Sequence, residues 1–171
     1  MDPLLDEKIL LTIGRILPEI FNSTLHIKVT REAYGPSKNE GLCYEKCSSI
    51  DMFGDFNGTY FMGLDGYTKI NLMPYIARAF SLDSVENITA SQIFQEFINL
   101  ICGHISSELN SAGFELDISP PKILDNKLVH INLGEYRQYI IIYMVADSDK
   151  KKYLGRIYTV VALRKFESDG K

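Results

Sequence analysis

The sequence predicts an α+β fold in which long helices pack on one face of a mostly antiparallel β-sheet. Two observations carry this prediction. Two long segments repeat apolar residues at three- and four-residue intervals, and several shorter segments alternate in polarity or are β-branched. Their order along the chain is helix, three strands, helices, then four strands, which is typical of a sheet with helices on one side.

The first half of the chain begins with a helix predicted over Pro3–Asn22. Pro18 is expected to loosen its last turn, and Asn22 to cap its end. Three strands and a second helix follow, with a loop over Gly35–Glu40 after the first strand. The Asn57-Gly58 pair favours a hairpin between the second and third strands, and Pro74 is expected to interrupt the second helix. The strands are predicted at Thr24–Tyr34, Cys47–Phe53 and Gly58–Leu64, and the helix at Tyr67–Phe80.

The longest helical pattern covers Thr89–Phe114. Thr89 followed by Gln92 is a capping-box pattern, and Gly113 stands where a left-handed cap ends a helix. The core-facing residues recur at helical spacing: Phe94, Phe97, Ile98, Ile101, Ile105 and Leu109.

The opposite side of this helix is polar, and it includes two weak helix formers, Asn99 and Gly103. One explanation is an ordinary solvated face on which Gly103 lets a neighbouring strand approach closely. The other is functional. Glu96 and Asn99 are three positions apart, so a carboxylate and a carboxamide project together from a rigid helix. From this segment alone both explanations stay open.

The C-terminal part of the chain is rich in strands. A short strand over Phe114–Ile118 is expected to stop at Pro120 and Pro121, which cannot donate ladder hydrogen bonds. The last two strands are the most β-branched and aromatic segments of the chain. Each half begins with a long helix and ends in strands, which hints at an internal duplication. The last three strands are predicted at Lys127–Leu133, Arg137–Ala146 and Tyr153–Phe166.

Composition bounds the class of protein. The 171 residues are 46% hydrophobic, enough for a substantial core, and we expect one domain over residues 1–171. The net charge of −4 and the lack of a basic stripe argue against nucleic acid as a partner. No export signal or apolar membrane span is recognisable, so we expect a cytoplasmic protein. Three cysteines fit free thiols better than a disulfide framework.

Classical catalytic motifs and metal motifs are missing from the sequence. His26, His104 and His130 lie in separate elements and share no ligand spacing. Cys43 and Cys47 have no second pair nearby, so we expect no metal site, and their role stays open. Catalysis would therefore have to use polar side chains together with a metal held by a partner.

Two blocks of sequence carry a family resemblance. The first is DFNGTYFMGLD, Asp55–Asp65, and the second is QEFINLICGHISSELNSAGFELDISPP, which contains Glu96 and Asn99. With the helix-first layout, they resemble the CheC/CheX/FliY family of chemotaxis phosphatases, and most closely its CheX members. The family usually has Ser or Asp four residues before the Glu, where this chain has Gln92, with Ser91 one residue earlier.

The resemblance implies a CheC/CheX-like fold and a phosphatase that hydrolyses the aspartyl phosphate of phospho-CheY. Asn99 would hold the attacking water, and Glu96 would pair with a lysine of the partner. Gln92 and Gly103 would belong to the partner-binding helix face. The chain would bind no cofactor itself, because the response regulator brings its own magnesium.

The resemblance also implies a homodimer formed through sheet edges, for which the two β-branched strands near the C-terminus are candidates. Two alternatives remain. The first is a non-catalytic response-regulator-binding protein or flagellar-switch adaptor of the same fold. The second is a small-molecule sensor, which would have a cavity lined by Phe53, Phe56, Tyr60 and Phe61, although these aromatics are better interpreted as core.

Overall fold

The computed structural model describes residues 3–37, 41–130 and 136–164. Three α-helices pack on one face of a seven-stranded sheet, and a short π-helical turn follows the first helix. In chain order the elements are α1 (Pro3–Ile20), the π turn (Phe21–Leu25), β1 (Lys28–Pro36), β2 (Gly41–Gly54), β3 (Gly58–Leu64), α2 (Gly66–Ala79), α3 (Ala90–Ser111), β4 (Leu116–Ile118), β5 (Lys122–His130), β6 (Tyr136–Asp147) and β7 (Lys152–Arg164). The predicted fold class is confirmed.

The sheet is antiparallel throughout and has the order β1-β6-β7-β3-β2-β4, with β5 also paired to β2. β6 and β7 therefore lie inside the sheet, and the expectation that they offer edges is wrong. For β7 the composition has a different cause: an interior strand that is buried on both faces forms a nearly continuous apolar run. β6 buries alternate residues and leaves its other face partly exposed. Among the described strands the outer positions belong to β1 and to the β4–β5 side.

One large core lies between the sheet and the helices. It contains the buried faces of α1, α2 and α3 and alternate residues of the central strands, such as Tyr60, Met62 and Val161. The opposite face of the sheet carries a smaller cluster in which Cys47, Phe61, Val160 and Ala162 are at most 9% exposed. Residues next to one another in β3 thus enter different clusters, as the two-residue period of a strand requires.

An ion pair between α1 and β6 fastens the first helix to the sheet. Asp6 is 6% exposed and accepts hydrogen bonds from Arg137 Nε at 2.8 Å, Arg137 Nη2 at 2.9 Å and the Tyr139 hydroxyl at 2.9 Å. Further along α1, the Tyr143 hydroxyl donates to the Gly14 carbonyl at 3.0 Å. A buried carboxylate is tolerated here because it is paired and hydrogen-bonded.

The end of α1 differs from the sequence prediction. The helix continues past Pro18, ends at Ile20, and passes into the π turn, which closes at His26 with a left-handed φ of 54°. Asn22 is therefore not the cap. The π turn buries Phe21 and Leu25, and β1 starts only at Lys28. β1 is mostly exposed rather than half-buried, because it is an outer strand.

The second helix also differs from expectation. α2 runs through Pro74 without a break, and its N-cap Asp65 accepts a hydrogen bond from the Thr68 amide at 2.7 Å. Pro74 is exposed. The Thr68 hydroxyl donates to the Arg156 carbonyl and accepts from the Arg156 amide, both at 3.0 Å. These two bonds hold α2 on β7 and compensate for the backbone bond that proline removes.

Several strands begin or end at residues other than the predicted ones, whereas the predicted hairpin is confirmed. β2 and β3 pair around the Asn57-Gly58 turn. β2 is longer than predicted and begins at Gly41, and β5 begins at Lys122, directly after Pro121. The expected ends of the strands at Leu133 and Phe166, and part of the predicted loop before Gly41, lie outside the described residues.

Candidate functional site: the exposed face of the long helix

The start of α3 is fixed by the predicted capping box. The Gln92 amide donates to Thr89 Oγ1 at 3.2 Å, and the Thr89 amide donates to Gln92 Oε1 at 2.8 Å. Gln92 is exposed, but its carboxamide oxygen is engaged within the helix. A capping box satisfies two N–H groups that would otherwise lack partners, so it defines where the helix begins.

Ser91 serves a different purpose. Its hydroxyl accepts a hydrogen bond at 2.6 Å from Lys46 Nζ, and Lys46 is only 7% exposed on β2. This contact ties the first turn of α3 to the sheet. Ser91 therefore contacts the sheet through Lys46, and Gln92 is the exposed residue four positions before Glu96.

The rotation of α3 about its axis is set by its apolar residues. The Phe97 ring packs edge-on against Phe21 with a centroid separation of 5.2 Å. At the helix end, Gly113 adopts the left-handed φ of 89°, and the Phe114 amide donates to the Leu109 carbonyl at 3.1 Å, as the sequence predicts. The buried residues are Ile93, Phe94, Phe97, Ile98, Ile101, Ile105 and Leu109.

Glu96 and Asn99 are both exposed on the opposite face of the helix. Within the described part of the chain Glu96 makes no hydrogen bond or ion pair, so its carboxylate is available to a partner. The Gln95 side chain donates from Nε2 to Asn99 Oδ1 at 3.2 Å. That bond restricts the Asn99 carboxamide, and sequence reasoning missed it, although the four-residue spacing of Gln and Asn is a signal for such a pair.

Gly103 lies on this face one turn after Asn99, and it too is exposed. A Cβ placed on Gly103 would meet no atom within 4 Å. The expectation that a neighbouring strand approaches Gly103 closely is therefore wrong. No packing contact in the described chain explains a glycine at this position.

The other candidates for chemistry do not assemble into a site. Among the described residues, no group of three or more His, Cys, Asp and Glu side chains could hold a metal ion. Cys47 is buried in the smaller cluster, where burial raises its thiol pKa to about 12, and the Cys43 side chain lies outside the described ones. The sensor interpretation is not supported either, because Phe56 and Tyr60 are core residues while Phe53 is 50% exposed.

Glu96 and Asn99 do not sit in any of three surface grooves, of about 320 to 430 Å³, that other elements line. The site is a helix face that carries one free carboxylate and one oriented carboxamide, outside these three grooves. Such a face can present both groups to a binding partner.

The chain belongs to the CheX family: the family model described as "Chemotaxis phosphatase CheX" matches residues 47–144, more than half of the sequence. That match includes β3, α2, all of α3 and both Glu96 and Asn99. No curated protein sequence matches the chain.

Solved structures share the fold at low sequence identity. CheX from Desulfovibrio desulfuricans has a TM-score of 0.72 and 14% identity, covering 91% of this chain and 99% of its own. A CheX–CheY–BeF3–Mg²⁺ complex from Borrelia burgdorferi has a TM-score of 0.60 and 14% identity, and the match covers 92% of this chain and 98% of that one. FliY from Thermotoga maritima has a TM-score of 0.61 and 14% identity, and the match covers 95% of this chain and 91% of that one.

In the described residues, none of the helices is both long and apolar enough to cross a membrane.

The open surroundings of Gly103 lead to a stability prediction. Gly103→Ala should raise the free energy of unfolding by about 0.5–1 kcal/mol, because alanine is the better helix former and its methyl group meets nothing. Chemical denaturation followed by circular dichroism measures this change.

The matched control is Gly155→Ala. Gly155 has a φ of 129°, and its Cβ would overlap Thr68 Oγ1 and lie 2.9 Å from Thr68 Cα. This change should lower the free energy of unfolding by roughly 2 kcal/mol or more. If Gly103→Ala also destabilised the protein, Gly103 would have a structural role that its surroundings do not show.

Proposed function

We propose that this protein accelerates hydrolysis of the aspartyl phosphate on a CheY-type response regulator, which would end a chemotaxis signal. The observation that carries the proposal is the exposed Glu96 and Asn99 pair on α3, in a chain of the CheX family. The similarity to a CheX–CheY complex supports a CheY-type partner.

The reaction needs little from the phosphatase. A water oxygen attacks the phosphorus, the bond between phosphorus and the aspartate oxygen breaks, and inorganic phosphate leaves while the aspartate carboxylate is regenerated. The water's protons remain on the released phosphate or pass to solvent. An acyl phosphate is already reactive, and the response regulator is expected to supply magnesium and a lysine. The main contribution left to the phosphatase is the position of the water.

Asn99 is the residue proposed to hold that water in line with the phosphorus. Its carboxamide can accept and donate hydrogen bonds, and the contact from Gln95 limits how it turns. Gly103, one turn further, has no side chain, so a partner can approach the helix closely beside Asn99. Gln92 lies on the same face, one turn before Glu96, and is proposed to contact the partner's surface.

Glu96 is proposed to pair with the partner's lysine. It lacks a counter-ion in the described structure, so docking would not need to break an existing ion pair. A desolvated pair across the interface would fix the register of α3 on the partner.

The test compares phosphate release from a phosphorylated CheY-type regulator in magnesium buffer. Wild-type protein should accelerate release, and Asn99→Ala should reduce the acceleration by roughly 100-fold or more because the water is no longer placed. Binding to the beryllofluoride-activated regulator should persist in this variant. Glu96→Ala should weaken binding by about ten-fold or more and slow release as well.

Asn110→Ala is the matched control, because Asn110 is also exposed on α3 but lies three turns further along. It should leave both binding and release unchanged. Equal loss in Asn99→Ala and Asn110→Ala would show that helix stability, not water placement, is responsible.

The Gln95 contact gives a further prediction. Gln95→Met keeps the length of the side chain but removes the donor to Asn99 Oδ1. Because such pairs are worth about 0.2–0.5 kcal/mol, the rate at saturating substrate should fall about two-fold while KM stays unchanged. Steady-state phosphate release at varied concentrations of the phosphorylated regulator measures both quantities. An increase in KM without a change in rate would instead make Gln95 a docking residue.

A non-catalytic adaptor of the same fold is the second candidate, and the structural similarity to FliY and to the middle domain of FliM leaves it open. It has a distinct outcome in the same assay. An adaptor would bind the activated regulator through Glu96 but leave the lifetime of the phosphoryl group unchanged.

We also propose a homodimer formed through a sheet edge, and a cytoplasmic location beside the proposed partner. Since β6 and β7 are interior, the edges left among the described strands are β1 and the β4–β5 side. Sedimentation should give twice the 19.4 kDa chain mass. Dilution to the monomer should remove hydrogen-exchange protection at one of these two edges. A monomer at all concentrations would contradict the proposal.

A further inference from the structure

A second surface, formed by α2 and the turn between β6 and β7, is separate from the face of α3. On α2, Tyr67 is 54% exposed and Ile70 is 71% exposed, and the exposed Pro74 follows one turn later. Tyr153, at the start of β7, stacks on Tyr67 with ring centroids 5.9 Å apart and an interplanar angle of 23°. We call Tyr67, Ile70, Pro74 and Tyr153 the apolar stripe.

Next to this stripe lies a groove of about 350 Å³. Its walls carry three cationic side chains, Arg78, Lys150 and Lys152, and no carboxylate. We call this the cationic groove. A basic groove is notable in a chain whose net charge is −4. The remaining lining residues are Ile70, Asn71, Pro74 and Tyr75.

The groove wall is held in place by a hydrogen-bonded network. The Tyr75 hydroxyl donates to Asp147 Oδ2 at 2.5 Å, and the Lys150 amide donates to Asp147 Oδ1 at 3.0 Å. Lys150 Nζ lies 3.4 Å from both the Tyr75 hydroxyl and Asp147 Oδ2, and 5.0 Å from the centre of the Tyr75 ring. The turn is thereby fastened to α2.

This network offsets the charge of Lys150 but not that of the other two cations in the groove. The Tyr75 hydrogen bond, with that of the Lys150 amide, lowers the Asp147 pKa to about 2, so the carboxylate is ionised at neutral pH and offsets Lys150. Asp147 is 5% exposed and lines a neighbouring groove rather than this one. Arg78 and Lys152 form no ion pair with described residues, so two uncompensated cations face the groove.

We propose that the cationic groove and the apolar stripe bind an acidic segment of a partner protein. Carboxylates of that segment would pair with Arg78 and Lys152, and a neighbouring apolar side chain would cover Ile70 and Pro74. None of these residues belongs to α3, so this contact does not depend on the proposed phosphatase site.

The extent of the surface favours a polypeptide over a small anion. The stripe from Tyr67 to Pro74 is about 10 Å long along α2, so a phosphate ion bound to the cations would leave most of it uncovered. Acidic side chains argue against a membrane surface. Asp65 and Asp149 are exposed at the two ends of the region, and a flat anionic bilayer would bring its charge close to both.

The experiment titrates the isotope-labelled full chain with a twelve-residue synthetic peptide that alternates glutamate with leucine and phenylalanine. At low salt, amide resonance shifts should concentrate in residues 67–78 and 147–153. Combining Arg78→Gln with Lys152→Gln should weaken binding about ten-fold. The control Arg15→Gln removes an exposed cation from α1 and should change the affinity by less than two-fold. Ile70→Ser should weaken binding without altering its salt dependence.

Four outcomes would overturn the proposal. The first is a set of shifts outside the two segments, and the second is a loss of binding in Arg15→Gln as large as that in the double substitution. The third is equal binding of a peptide with lysine in place of glutamate, which would make the contact purely apolar. The fourth is the same set of shifts with inorganic phosphate, or with vesicles of phosphatidylcholine and phosphatidylserine, while the peptide produces none.

Discussion

Burial of one face of α3 is the constraint on which the candidate site depends. Seven apolar side chains on that face are inside the core, each worth roughly 1.5–3 kcal/mol on burial before the entropy of ordering is subtracted. Turning the helix by one residue, about 100°, would push Glu96 toward the core without a partner, which is strongly unfavourable. The core therefore decides that Glu96 and Asn99 face outward, although neither residue contributes to it.

The sheet supplies the support that keeps this helix still. β7 is covered on both faces, by the large core and by the cluster around Val160, and β6 buries Ile141, Tyr143 and Val145 in the large core, so the centre of the sheet is its most constrained part. The Asp6 and Arg137 pair joins that centre to α1, and α1 packs on α3. Lys46 joins β2 to the first turn of α3 through Ser91. A water-placing residue gains from such support, because small displacements cost much of the rate.

Features determined by local sequence could be predicted, and those determined by distant partners could not. The capping box at Thr89, the left-handed Gly113, the apolar face of α3 and the Asn57-Gly58 hairpin depend on a few consecutive residues. The interior position of β6 and β7 depends on which strands pair. The continuation of α2 through Pro74 depends on the contacts of α2 with β7. The open space around Gly103 and the lowered pKa of Asp147, caused first by the hydrogen bond from Tyr75, likewise depend on three-dimensional neighbours. The Glu96 and Asn99 pair could be predicted from its helical spacing and from the family resemblance, whereas the contact between Gln95 and Asn99 was found only in the structure.

Fold and function rest on different evidence in this protein. At 14% identity the solved structures establish the architecture, because a sheet and three helices can be specified by apolar periodicity with almost any surface. Function has to be argued from the surface itself. The exposed face of α3 offers a carboxylate and an oriented carboxamide. Under the proposed function these two groups would place a water molecule and fix the docking register. The partner would then supply a bond that is already reactive, such as an acyl phosphate.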